Sequence, residues 1–170
     1  MTTLFAITLF WSAALLFWVE PMVGKLVLPQ LGGAPAVWNT CLVFYQVALL
    51  AGYLYAHLVG RRPARQQVVL QAVVIAVAFL ALPITVRGGS TPPASANPVG
   101  WVLQILVVSL GLPFVVLAAT GPLLQRWFAS IAASTAGSPY SLYAASNVGS
   151  FVALLGYPFL VEPALRLRSQ

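Results

Sequence analysis

No carboxylate occurs in this chain between Glu20 and Glu162, and the sequence between them is a succession of apolar runs parted by short clusters of glycine, proline and arginine. A helix needs about 17 to 25 apolar residues to cross a hydrocarbon core of about 30 Å, because each residue rises about 1.5 Å. Five runs reach or approach that length: residues 3–20, 37–59, 68–84, 101–120 and 139–161. The expected fold class is therefore all-α, a polytopic membrane helical bundle whose first partner is the lipid bilayer. Composition agrees, since 61% hydrophobic and 6% charged residues, with a mean hydropathy of +0.95, leave too little polar surface to cover a water-soluble globule.

The boundaries follow from breakers. Glu20-Pro21 is expected to stop the first helix, and Gly60-Arg61-Arg62-Pro63 to stop the second. A cytoplasmic loop then covers residues 60–67. The polar, glycine- and proline-rich stretch 85–100 reads as an outer loop. Gly111 and Pro113 mark a bend within the fourth helix, and Gly121-Pro122 breaks or redirects it. Residues 123–131 then either prolong that helix or lie along the membrane surface. Ser138-Pro139 has the form of an N-cap followed by proline at the first helical position of the fifth.

Basic loops resist translocation, so arginine and lysine placement sets orientation. With the N-terminus inside, Arg61, Arg62, Arg65 and Arg126 are cytoplasmic, and Lys25, Arg87, Arg166 and Arg168 lie outside. The tally is even, but the three-arginine block occupies a short loop, where the rule is strongest. The expected arrangement is multi-pass in a membrane, with a cytoplasmic N-terminus. Residues 1–9 carry no basic n-region, so the first run reads as a retained helix rather than a cleaved signal. The net charge of +6 forms no stripe for nucleic acid, because the eight bases are scattered over helix ends, where they serve as topology signals and headgroup contacts.

Polar groups inside membrane helices are costly, and function is sought there. Asn39, Gln46 and Tyr53 recur every seven residues, with His57 one turn on, forming a stripe on one face of the second helix. They either line a solute cavity or bond to neighbouring helices. His57 reads as an interfacial hydrogen-bonder or, less simply, a proton relay. In the fifth helix Ala145, Gly149 and Ala153 fall four apart beside Ser146 and Ser150, leaving one face almost without bulk, against which another helix can pack. Asn147 on that helix is a further candidate for solute contact. Glu20 and Glu162 sit in rhyming contexts, Phe17-Trp18-Val19-Glu20-Pro21 and Phe159-Leu160-Val161-Glu162-Pro163, at helix ends on one side of the membrane. They form a coupled acid pair for a cation, or each pairs locally, Glu20 with Lys25 and Glu162 with Arg166. One histidine, one cysteine and no aspartate provide no metal or haem ligand set, and no Walker loop, G-x-G-x-x-G or G-x-S-x-G motif is present. No cofactor and no catalysis are expected.

Gly52-Tyr53-Leu54-Tyr55-Ala56-His57-Leu58-Val59-Gly60-Arg61-Arg62 resembles the loop motif between helices two and three of the major facilitator superfamily, with Ala56 or His57 at the place of its aspartate and one residue more in the spacing. A second resemblance covers nearly the whole chain. Glu20-Pro21-Met22-Val23-Gly24-Lys25, Pro29-Gln30-Leu31-Gly32-Gly33, Val37-Trp38-Asn39-Thr40, Gly121-Pro122-Leu123-Leu124-Gln125-Arg126-Trp127-Phe128, residues 138–150 and Tyr157-Pro158-Phe159-Leu160-Val161-Glu162-Pro163 are similar to the N-terminal membrane region of bacterial spermidine-synthase-like proteins. In those proteins a facilitator-like bundle is fused to an aminopropyltransferase-like domain. The resemblance implies part of one half of a facilitator fold, a polyamine connection and a synthase-like domain or subunit as partner. It implies no catalysis here, because the chain stops before any such domain. Five helices where a facilitator half has six suggest a truncated gene, a fragment or a split subunit. The function expected is a membrane module that anchors an enzyme domain or binds a small cationic solute; the alternative is a small facilitator-like transporter working as a homo-oligomer.

Overall fold

In lipid a backbone amide finds no water, so each segment must satisfy its own hydrogen bonds, and helices are the open-chain solution. The computed structural model describes residues 2–28, 35–80, 82, 97–132 and 140–165, which are helical apart from short turns and contain no strand. Helix α1 covers Thr2–Val27, α2 Pro35–Gly60 and α3 Ala64–Leu80. A long rod follows: α4 (Pro98–Leu106), a π-helical segment (Val107–Gly111) and α5 (Leu112–Ala132). The last rod joins α6 (Tyr140–Gly156), a second π segment (Tyr157–Val161) and the short α7 (Glu162–Ala164). Four of these rods are long and apolar enough to cross a membrane, and α3, at 17 residues, is a shorter apolar helix.

Several boundaries move from where breakers placed them. Helix α1 passes through Pro21 and α5 through Pro122, instead of stopping at Glu20 or at Gly121. Proline costs a helix one hydrogen bond, but a membrane helix has no water to gain by fraying, so ending at the proline would leave more backbone groups unsatisfied than running on; side chains of neighbouring helices also bond the backbone near each proline. Tyr45 Oη donates to the Glu20 carbonyl at 2.9 Å, and Ser12 Oγ to the Leu117 carbonyl at 3.4 Å. Residues 123–131 therefore prolong the helix rather than lie on the surface. Helix α3 begins at Ala64, because the Pro63 carbonyl accepts from the amides of Gln66 (2.9 Å) and Gln67 (3.1 Å). The loop before it shrinks to residues 61–63, and Arg65 sits in the first helical turn. Helix α4 starts three residues before Trp101, where Asn97 Oδ1 accepts from the Val99 amide at 3.0 Å as an N-cap. The irregularity expected at Gly111 and Pro113 is a π segment, and a second one lies around Pro158. Most of the outer loop and the Ser138-Pro139 cap lie outside the described residues.

The exterior is apolar to a degree that water would not permit. Leu50, Phe79, Val108 and Phe159 are each exposed, and every rod carries further exposed large apolar side chains. Lipid is the solvent that this surface matches. Inside, the π segment and its flanks place Val102, Leu106, Leu110 and Phe114 against Phe44, Tyr45 and Ala48 of α2 and Val23 and Val27 of α1. Tyr45 stacks on Phe114 with centroids 5.4 Å apart. Toward the other end Ala56 and Val59 meet Ala119 and Leu123, and Leu9 meets Phe128 and Leu142. Helix α5 is the shared wall, since α1, α2 and α3 all pack on it, while α6 packs on α1.

Two glycines make the closest approaches possible. A Cβ on Gly149 would lie 3.0 Å from both the carbonyl carbon and Cα of Phe10, so α6 touches the backbone of α1 there. A Cβ on Gly52 would lie 2.6 Å from Ala118 Cβ and 2.9 Å from the Val115 oxygen, which brings α2 equally close to α5. Gly149 and Ala153 are buried on the side of α6 facing α1, whereas Ala145 is half-buried. Trp18 Nε1 donates across that seam to the Ala153 carbonyl at 3.0 Å.

Candidate functional site

Close packing of α6 on α1 brings the ends of the two rods together, and with them the chain's only acids. Glu20, Lys25 and Glu162 line one cavity of about 390 Å³, walled by the rings of Trp38, Tyr45 and Tyr157. The Lys25 ammonium forms an ion pair with Glu162 and lies 5.2 Å from the centroid of the Tyr157 ring. Glu20 has no ion-pair partner among the described residues. Two carboxylates against one ammonium leave the cavity formally one charge negative.

The pairing corrects the expected one of Glu20 with Lys25. Those residues are five apart on a helix that continues past both, so their side chains diverge by about 140° around its axis. Had α1 ended at Glu20, a local pair would have been natural. Lys25 instead turns to α7, and Arg166, the base expected for Glu162, lies outside the described residues. Both members of the ion pair are more than a third exposed, so its contribution to stability is small.

A second, larger cavity of about 630 Å³ lies between α1, α5 and α6, with Tyr53 of α2 at its side. Its polar lining is Ser12, Tyr53, Gln125, Tyr143, Ser146, Asn147 and Ser150. Leu154 lines both cavities, so they adjoin, with the charged one at the α1 and α7 ends. Ser12 Oγ and Ser150 Oγ are committed to the Leu117 and Ser146 carbonyls, at 3.4 and 3.1 Å, which leaves the amides, the phenols and the Ser146 hydroxyl as the groups able to meet a solute.

Of the residues singled out from sequence, Tyr53 and Asn147 share the larger cavity, and Glu20 and Glu162 share the smaller. Asn39 and Gln46 line neither. Both are exposed on α2, away from its buried residues Val37, Cys41, Phe44, Tyr45 and Ala48. His57 meets Arg61, Nε2 to Nη2 at 3.1 Å, on its own helix end. Sequence reasoning missed Gln125, which lay in a stretch read as a possible surface segment, and the aromatic wall of Trp38, Tyr45 and Tyr157. An uncharged amide within an apolar run was the available signal for Gln125. Nothing local marks the three rings.

Among the described residues no group of three His, Cys, Asp or Glu gathers as a metal site. Cys41 is free and buried in the core. No protein-family model, curated protein or solved structure matches the chain.

Proposed function

We propose that this chain is a membrane module that binds a small organic cation at the junction of α1, α2 and α7. In this reading it is the bundle of a spermidine-synthase-like protein, built as part of one half of a facilitator fold, with its N-terminus in the bacterial cytoplasm. It performs no catalysis itself and serves as an anchor for a synthase-like domain or subunit. One observation carries the reading: Glu20 and Glu162 share a cavity with a single base and three aromatic rings. Carboxylates recognise ammonium groups by charge, and ring faces add attraction for a cation within about 6 Å of a centroid. Lys25 already occupies such a position over Tyr157, as a primary amine of a solute would. The adjoining amide-lined cavity provides room for the rest of a chain-like amine.

Spermidine binding to the detergent-purified protein, followed by calorimetry, tests this. Replacing Glu20→Gln or Glu162→Gln weakens binding by about tenfold or more, which corresponds to about 1.4 kcal/mol. Lys25→Met, which removes the competing ammonium, strengthens it. Equal affinity across all four proteins refutes the site.

The exposed Asn39 and Gln46 favour a second reading, transport by a homo-oligomer. Amides on a membrane-spanning helix are poorly matched to lipid, and a second copy presenting the same amides would satisfy them. Spermidine flux into proteoliposomes that falls when Asn39→Leu and Gln46→Leu are combined supports transport; binding without flux leaves the anchor and binding module.

A further inference from the structure

The opposite end of the bundle carries an electrostatic imbalance of the other sign. Successive rods alternate in direction, so the ends of α2 and α5 and the start of α3 gather Arg61, Arg62, Arg65 and Arg126 at the end remote from Glu20 and Glu162. Those two glutamates are the only acids in the chain, so no internal carboxylate can neutralise this arginine cluster. Arg61 leans on His57, and the stem of Arg126 packs over Gly60, where a Cβ would lie 3.1 Å from its Cδ. Arg62 and Arg65 have no ion-pair partner among the described residues.

The backbone of the turn that carries Arg62 is also held in place. The Gln67 side chain is buried and donates through Nε2 to the carbonyls of Gly60 (3.2 Å) and Arg62 (2.7 Å), while its Oε1 accepts from Trp127 Nε1 at 2.8 Å. One carboxamide thus pins the turn between α2 and α3 to α5. Beside it lies a groove of about 390 Å³, lined by Arg62, Arg65, Gln66, Val69 and Leu70. Arg65, Gln66, Val69 and Leu70 share one face of α3, with Arg62 in the turn just before the helix and the apolar pair about 6 Å further along the axis than Arg65 and Gln66. Val69 and Leu70 are exposed outward.

We infer that this groove binds the phosphodiester headgroup of an anionic phospholipid, with the Arg62 and Arg65 guanidiniums on the phosphate and an acyl chain along Val69 and Leu70. A phosphate oxyanion supplies the counter-charge that the chain lacks, and paired guanidiniums are suited to it geometrically. The apolar lower half distinguishes a lipid from a free phosphate, which would leave Val69 and Leu70 without a role.

Native mass spectrometry of the purified chain with equal amounts of phosphatidylglycerol and phosphatidylcholine tests the assignment. With about fivefold per arginine, phosphatidylglycerol is retained about 25-fold more strongly than phosphatidylcholine. The Arg62→Gln, Arg65→Gln double variant loses that preference while still binding phosphatidylcholine. Raised salt removes the preference from the unaltered protein, an arm that does not depend on any variant folding. Excess inorganic phosphate does not displace phosphatidylglycerol, and Val69→Gln with Leu70→Gln weakens the lipid. Equal retention of the two lipids by the unaltered protein, a preference that survives in the double variant or in high salt, or displacement by inorganic phosphate overturns the inference.

Discussion

Gly149→Ala is the smallest change that separates α6 from α1. The added methyl would run first into the carbonyl oxygen of Phe10 and lie 3.0 Å from two of its backbone carbons, whereas atoms in ordinary contact are about 3.5 to 4.0 Å apart, so the rods must part by about 1 Å. The obstacle is backbone, which cannot rotate away as a side chain would. Forcing one methyl group into a packed seam costs about 1 to 3 kcal/mol. Alanine's advantage over glycine in helix propensity offsets little of this, because apolar segments stay helical even when the bundle comes apart in detergent. The separation also weakens the Trp18 bond to the Ala153 carbonyl and loosens the Lys25 pair with Glu162 at the same junction. The assay is unfolding in mixed micelles with rising denaturing detergent, followed by tryptophan fluorescence. Gly100→Ala, where an added Cβ meets nothing within 4 Å, is the matched control and changes stability by less than about 0.5 kcal/mol. Equal midpoints for the two variants would refute the close seam.

Other perturbations follow from single contacts. Gln71 is buried with both side-chain polar atoms unbonded among the described residues, so Gln71→Leu raises stability by about 1 to 3 kcal/mol in the same micelle titration. Trp127→Phe removes the donor to Gln67 Oε1 and lowers stability by about 1 to 2 kcal/mol, more than the same change at exposed Trp11, whose indole makes no such bond. Gly52→Val drives a branched side chain into Ala118 and Val115 and prevents recovery of a monodisperse protein on size exclusion, whereas Gly111→Ala, with only Val107 Cγ1 at 3.9 Å, is recovered normally.

The apolar runs announced helices because lipid selects for them, and the small residues around Gly149 announced a close partner because a face without bulk has little other use. Helix ends were harder to read. Proline and glycine break helices in water, where an interrupted helix can hydrate its loose ends; in lipid α1 and α5 run on through Pro21 and Pro122. The longer helix also changes where the charges point. With α1 ended at Glu20, Lys25 appeared free to fold back on its neighbour, when the longer helix turns it toward Glu162. The stripe on α2 shows a different limit. Seven-residue spacing reveals that Asn39, Gln46 and Tyr53 share a face, but whether that face meets helices or the bundle exterior depends on how α1, α4 and α5 pack, which no local pattern encodes.

The central claim is that alternating membrane crossings separate an acid-bearing end from an arginine-bearing end. With Cys41 replaced by alanine, single cysteines at positions 25, 62, 126 and 162 can be labelled in sealed vesicles by a membrane-impermeant maleimide. The account requires Lys25→Cys and Glu162→Cys to react from one side of the membrane, and Arg62→Cys and Arg126→Cys from the other. Reaction of all four from the same side would contradict it.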